Sequence, residues 1–281
     1  MQVFNVIHSY LYKWSIDYGW RKINTLLSSE RKNKIIVTLT SYGRRVENNV
    51  VYYTLVSILN QSVQPDKIIL WLDDVNWNIN NLPIKLKELI RKGVEVKFCK
   101  DLKSYKKLIP ALEMYHDDIL VTVDDDVIYP RDLIETFYKE HKKKPKSVIC
   151  GRGSIITKNS KGDVIDYNDW ESAKCYDERI NIVPIGVGGV LYPPRSFYKD
   201  VLLNNLFMNL APNADDLWFW AMEYLNGTSQ VVVKTKSSYL SFDALYQYFH
   251  KGSALTHSNA KEGKNNIQLR NIINYYSIKL P

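Results

Sequence analysis

Ile119-Leu120-Val121-Thr122-Val123-Asp124-Asp125-Asp126 is the stretch that decides how this chain is read. Its first five residues are apolar or β-branched and leave no polar face, so the strand they form is buried. Three aspartates then stand at its carboxyl end, where open α/β sheets bind their ligands. Three adjacent carboxylates repel one another, and a cation relieves that repulsion. In extended backbone Asp124 and Asp126 point the same way. They can share one hard divalent ion, Mg²⁺ or Mn²⁺, with a diphosphate completing its shell. An acidic turn leading into the helix near Pro130 explains one aspartate well and three poorly.

Outward from this strand, short apolar runs alternate with helical patterns. Strands are predicted over 35–40, 67–72 and 94–98, and helices over 46–60, 82–92, 106–116 and 129–142. This alternation implies an α/β fold with a mainly parallel sheet and helices on both faces. Right-handed crossovers follow from chain chirality. After Lys146 the pattern loosens. Residues 147–157 and 182–192 read as strands, 216–226 as a helix, 230–233 as a late strand and 265–276 as a terminal helix. Ahead of all this, residues 2–27 read as an amphipathic helix with Phe4, Ile7, Leu11, Trp14 and Tyr18 on one stripe. The simpler expectation is that this stripe packs on the main domain. The sharper one is an interfacial helix, with Lys13, Arg21 and Lys22 on its later turns. The expected organisation is a helical segment over 1–33 and one domain over 34–281, divided into a nucleotide-binding half (34–146) and an irregular acceptor-facing half (147–281).

Composition narrows the function classes. The chain has 281 residues, 45% of them hydrophobic and 24% charged, which excludes wholesale disorder and fibrous architecture. Cys99, Cys150 and Cys175 are too few and too dispersed for a disulfide scaffold or a zinc ribbon. A reducing cytoplasmic setting is expected, since the N-terminus lacks a secretory layout and no apolar run reaches the length of a spanning helix. The net charge of +8 is compatible with peripheral contact at the anionic inner face of a membrane. Nucleic acid is not an expected partner. The basic run over 141–146 reads as the end of a helix, and no nucleic-acid motif accompanies it.

Four segments carry a resemblance: Val37-Thr38-Leu39-Thr40-Ser41-Tyr42, Ile68-Ile69-Leu70-Trp71-Leu72-Asp73-Asp74, Asp124-Asp125-Asp126 and Ala214-Asp215-Asp216-Leu217-Trp218. In this order they resemble the nucleotide-sugar glycosyltransferases of GT-A (Rossmann-like) fold. Among these, the chain is similar to the family-2-like bacterial enzymes that build capsular or lipopolysaccharide glycans. The likeness covers about residues 34–230.

The resemblance implies site roles. The aspartate triplet matches the DxD metal motif, with Asp124 and Asp126 as ligands and Asp124 and Asp125 beside the nucleotide. Thr40 and Ser41 would bond a base or ribose, Tyr42 would stack on the base, and Arg44 would meet a phosphate. Asp73 and Asp74 would accept hydrogen bonds from the base or ribose. Lys107 would offset phosphate charge. Gly188 and Gly189 would lie beside the donor sugar, although a bulge or tight bend explains glycine there equally well. Asp216 would be the general base, with Asp215 orienting the acceptor or substituting for it. Trp218 and Trp220 are candidates for sugar stacking, with at least one expected in the core. His257, preferred over His250, would be an extra metal ligand.

The expected activity is metal-dependent transfer of a sugar from a nucleotide-diphosphate sugar, a UDP-sugar first among them. The acceptor would be a hydroxyl of a glycan or lipid-linked saccharide, and the anomeric centre would invert, a retaining enzyme using the same acid pair being the alternative. Two alternatives remain at this point. One is a non-catalytic sugar-nucleotide or glycan-binding module of the same fold. The other is a metal-dependent nucleotidyltransferase, against which the missing glycine-rich phosphate loop counts.

Overall fold

In a computed structural model that describes residues 2–27, 30–236, 240–241 and 263–281, with side chains from Ile7 onward, the apolar runs become the centre of an eight-stranded sheet. Strands β1 (Ile35–Thr40), β2 (Lys67–Asp73) and β3 (Val94–Cys99) lie side by side in parallel. Strand β4 (Ile119–Thr122) adds in parallel to the other edge of β1. The chain thus builds outward in one direction from β1, then returns to extend the sheet in the other. The reversal leaves a crevice at the carboxyl ends of β1 and β4.

The chain continues through β5 (Val127–Ile128), β6 (Val148–Cys150), β7 (Gly153–Ile155), β8 (Glu171–Ser172), β9 (Glu178–Arg179), β10 (Ile182–Pro184), β11 (Val190–Tyr192) and β12 (Gln230–Val232). Beyond β4 the sheet runs β11-β6-β12-β9, with β11 and β9 antiparallel to their neighbours. A small sheet, β10-β7-β8, carries part of the second half. The fold class read from the sequence is therefore the one observed.

Both faces of the sheet are covered. Ile35, Val37 and Leu39 of β1 enter one core, and Ile36 enters the other, as period-two alternation requires. The first core is filled by helices α3 (Val50–Leu59), α4 (Ile84–Ile90) and α6 (Leu133–Lys143). The second is filled by α5 (Ile109–Met114), α7 (Asn204–Leu210), α8 (Asp215–Leu225) and α9 (Lys264–Tyr276).

Local chemistry shortens several predicted elements. The helix read over 46–60 is two, α2 (Gly43–Glu47) and α3, parted where Asn49 adopts a left-handed φ of 58°. Asparagine enters that region more readily than other residues that carry a Cβ. The strand read over 182–192 is interrupted by a 3-10 turn at Gly186–Gly188. The helix α1 (Gln2–Asp17) ends ten residues early, closed by Gly19 at a φ of 71°.

Helix α1 also turns a different face inward from the one expected. Ser9 and Ile16 are buried, and Tyr12 packs on the core. Asp17 accepts a hydrogen bond from Tyr53 Oη at 2.8 Å and pairs with Lys85 at 2.6 Å. Ile7, Leu11, Trp14 and Tyr18 are exposed.

Helix α8 corrects another expectation. Trp218 and Trp220 are both fully buried, and their indole N–H groups donate to the Val201 carbonyl at 3.2 Å and the Ile180 carbonyl at 3.1 Å. Neither can stack on a sugar. Replacing Trp218 with alanine should lower unfolding stability by about 3–5 kcal/mol, the usual cost of emptying an aromatic core site. Urea unfolding followed by circular dichroism measures it.

Candidate active site

The carboxyl ends of β1, β2 and β4 open into a cleft of about 1410 Å³. Thr40, Ser41, Tyr42, Asp73, Asn76 and Trp77 form one wall, from the ends of β1 and β2. Arg152, Ser154, Tyr167, Asn168, Trp170 and Ser172 form another, from around β7 and β8. Lys107, the three aspartates after β4, and Asp215 and Asp216 line it as well.

The aspartate turn is fixed by its backbone. The Asp124 N–H donates to Tyr129 Oη at 2.8 Å, and Thr54 Oγ1 donates to the Asp125 carbonyl at 2.9 Å. The side chains then part, against the expectation that Asp124 and Asp126 point the same way, because Asp125 and Asp126 sit in a turn and not in extended strand. Asp125 accepts from Ser41 Oγ at 2.5 Å, and Arg45 bridges Asp125 at 2.6 Å and Asp126 at 2.8 Å. Asp124 instead lies 3.7 Å from the Lys107 ammonium. Burial raises the Asp124 carboxyl above its ordinary value, with Lys107 acting against the rise and Asp215 and Asp125 adding to it.

Lys107 is the second organising cation. Its ammonium lies 2.7 Å from Asp215 and 3.3 Å from Asp216, the first residues of α8. The position is built from the core. Thr38 Oγ1 on β1 donates to the Lys107 carbonyl at 2.7 Å and accepts from the Trp71 indole at 3.0 Å. Tyr105 stacks on Phe207 with ring centroids 4.0 Å apart and donates to the Ala211 carbonyl at 2.6 Å. Burial alone would lower the lysine, but the three carboxylates outweigh it and hold it well above its ordinary value. It stays a fixed positive charge.

Asp216 has its second oxygen bonded by the Gly186 N–H at 3.1 Å. Burial pushes its carboxyl up to about 6; Lys107 opposes the rise, and the charges of Asp215 and Asp124 add to it. The N-cap of α8 is Ala214, so neither aspartate caps its own helix. Both gain from the helix N-terminus while facing the cleft.

The cleft therefore gathers Thr40, Ser41, Tyr42, Asp73, Lys107, Asp124, Asp125, Asp126, Asp215 and Asp216. Other expected residues lie elsewhere. Arg44 is exposed and outside the lining, and the arginine that enters is its neighbour Arg45, because one step along a helix turns a side chain by about 100°. Asp74 is exposed beyond the end of β2, while Asp73 lines the cleft. Gly188 packs on backbone, where a Cβ would come within 2.6 Å of the Arg152 nitrogen, and Gly189 has a φ of 76° beside Phe137 and Leu133. Both are glycine for packing and turn geometry and do not line the cleft. Gly43 lines the cleft, and Gly186 stands behind its charges, its missing Cβ facing Lys107 Nζ at 2.8 Å and Asp124 Oδ1 at 3.0 Å. His250 and His257 lie outside the described residues.

Sequence reasoning missed the wall that carries Tyr167 and Trp170. Their rings lie 4.7 Å apart, held by a turn in which Asp166 accepts from the Asn168 N–H at 2.9 Å. Asn266 on α9 ties the turn down, accepting from the Tyr167 N–H at 2.8 Å. Two aromatics three apart among polar residues were the available signal.

The donor set is oxygen-only, the class a hard divalent ion takes, but Lys107 and Arg45 draw Asp124 and Asp126 to different sides. All five carboxylates offer oxygen, and Lys107 and Arg45 are the cations that pair with them. Among the described residues no group of three or more His, Cys, Asp or Glu side chains is placed to hold a metal ion. Mg²⁺ sites that borrow phosphate oxygens from a substrate need only one or two carboxylates.

Residues 36–207 match the family described as Glycosyl transferase family 2, and the chain belongs to that family. It is a glycosyltransferase with a mainly parallel GT-A sheet, of a family whose general substrates are a nucleotide-sugar donor and a glycan acceptor. Among solved structures it is similar to S. aureus TarS 1-349, with 16% identity and a TM-score of 0.48 over 88% of this chain and 72% of that one. A second S. aureus TarS structure gives 16% and 0.49 over 88% and 44%. CMP:2-keto-3-deoxy-manno-octonic acid synthetase complexed with CTP gives 12% and 0.44 over 79% and 98%. No curated protein matches in sequence.

Two variants probe this arrangement. Gly186→Ala should displace flexible side-chain ends only. It should change stability by less than about 1 kcal/mol yet slow turnover about tenfold to hundredfold, as a thermal melt and a donor-turnover assay would show. Lys107→Met removes the charge that opposes the rise at Asp216. The acid limb of its pH–rate profile should move to higher pH.

Proposed function

We propose that the protein transfers a sugar from a nucleotide-diphosphate donor, a UDP-sugar first among candidates, to a hydroxyl of a glycan or lipid-linked saccharide in bacterial surface polysaccharide synthesis. The observation that carries this reading is Asp216: a carboxylate in the cleft at the switch point, oriented by the Gly186 N–H and Lys107. Its upward-shifted proton affinity suits a general base working near neutral pH.

In this mechanism the wall at the ends of β1 and β2 holds the nucleotide. Tyr42, half exposed, stacks on the base, and Asp73, Thr40 and Ser41 supply polar contacts. On the other wall the part-buried Tyr167 ring, backed by the buried Trp170, meets the acceptor saccharide. Asp216 takes the proton from the acceptor hydroxyl as that oxygen attacks the anomeric carbon. The bond from that carbon to the diphosphate oxygen breaks, the nucleoside diphosphate leaves with the bonding electrons, and the centre inverts. Asp215 and Lys107 keep Asp216 oriented. Asp124 and Asp126 would hold Mg²⁺ or Mn²⁺ once released from Lys107 and Arg45, which draw them apart here. Such an ion supplies charge neutralisation on the departing diphosphate.

Calorimetry with a panel of nucleoside diphosphates, in Mn²⁺ and then in EDTA, tests the donor site. One diphosphate should bind in Mn²⁺ and lose that binding in EDTA, and Asp124→Asn should weaken it. No binding to any diphosphate would sink the reading. Pyrophosphate released from a nucleoside triphosphate would favour nucleotidyl transfer instead.

Asp216→Asn should keep diphosphate binding and lose about 10²–10⁴-fold in transfer, the usual contribution of a general base. For the unmodified chain, the rate at limiting donor should fall as pH drops through about 6, where Asp216 takes up its proton. A rate that is flat through this range would remove Asp216 from the role.

A further inference from the structure

The outward face of α1 carries Ile7, Tyr10, Leu11, Trp14 and Tyr18 at helical spacing, each between 45% and 63% exposed. The Trp14 ring stands edge-on to Tyr18 at 4.9 Å and to Trp20 at 4.6 Å, and Trp20 is 71% exposed. This face does not hold the helix in place, since Ser9, Tyr12, Ile16 and Asp17 do that from the other side. A contiguous apolar stripe turned to water marks an interaction surface.

Charge and composition say what covers it. Residues 1–34 hold Lys13, Arg21, Lys22, Arg31, Lys32 and Lys34 against Asp17 and Glu30. The difference is +4, half of the chain's net +8 in about an eighth of its length. Asp17, the acid on α1, is engaged by Lys85 and Tyr53. Arg31 is engaged in turn by Asp66 at 2.9 Å. An anionic bilayer offers the opposite sign, worth severalfold in affinity for each basic residue near the surface. Indole and phenol rings are the side chains that settle at the boundary between lipid headgroups and acyl chains.

We propose that this stripe seats the protein on an anionic lipid surface, with α1 lying in the plane of the interface. Among the described residues no helix is long and apolar enough to cross a membrane, so the contact is peripheral. The inference concerns where the protein sits and stands apart from its transfer chemistry.

Co-sedimentation of the full chain with phosphatidylcholine vesicles, with and without phosphatidylglycerol, tests it. Binding should require phosphatidylglycerol and weaken as salt rises. The double variant Leu11→Glu and Trp14→Glu should bind at least about tenfold more weakly. It should keep the circular dichroism spectrum and the diphosphate affinity of the unmodified chain. Arg21→Glu with Lys22→Glu should weaken anionic binding by about tenfold or more. Failure to bind either vesicle, or binding indifferent to headgroup charge, overturns the proposal. So does a dimer in sedimentation velocity that the Leu11→Glu and Trp14→Glu changes dissolve.

Discussion

One buried ammonium group joins the two halves of this molecule. Lys107 reaches the cleft from the segment before α5, Asp124 follows β4, and Asp215 and Asp216 open α8. A buried charge is tolerated only when it is paired. Four side chains from three separate places in the chain therefore have to arrive together. Because the Lys107 backbone is bonded to β1 through Thr38, and Thr38 to β2 through Trp71, the sheet itself sets where the charge sits. The geometry around Asp216 is inherited from the hydrophobic core.

Arg45 plays the matching part a short distance away. It draws Asp125 and Asp126 to one side while Lys107 holds Asp124 on the other. The three aspartates after β4 therefore serve two environments. Carboxylates still outnumber these two cations, so the carboxyl ends of β1 and β4 carry a negative potential. The fold bears it by aiming the N-terminus of α8 and the Gly186 N–H at the site. A substrate-borne or dissolved cation meets this potential on entering.

The strands were legible in the sequence because their chemistry is local: a run such as Ile35–Leu39 has no polar face, and only a doubly covered sheet accepts it. The acidic clusters were legible for a similar reason, since carboxylates at the ends of buried elements need an explanation. Orientation was not legible. Arg44 and Arg45 are equal in composition and differ by one step of helical rotation. The contact of Lys107 with Asp216 spans 109 positions, beyond any local pattern. Trp218 and Trp220 have the makeup of a sugar platform, yet α8 buries both of them in the core. In α1 two faces are apolar enough to pack, and the hydrogen-bonded Asp17 and the small Ser9 decide which one does.

The two aromatic-bearing walls of the cleft are encoded apart. Tyr42 and Trp77 come from the first third of the chain, whereas Tyr167 and Trp170 come from a turn fastened to α9 by Asn266. A change in the 166–170 segment or at Asn266 therefore reshapes the second wall without altering any residue of the first. That segment, with α9 carried along to brace it, is the natural unit for exchange between relatives.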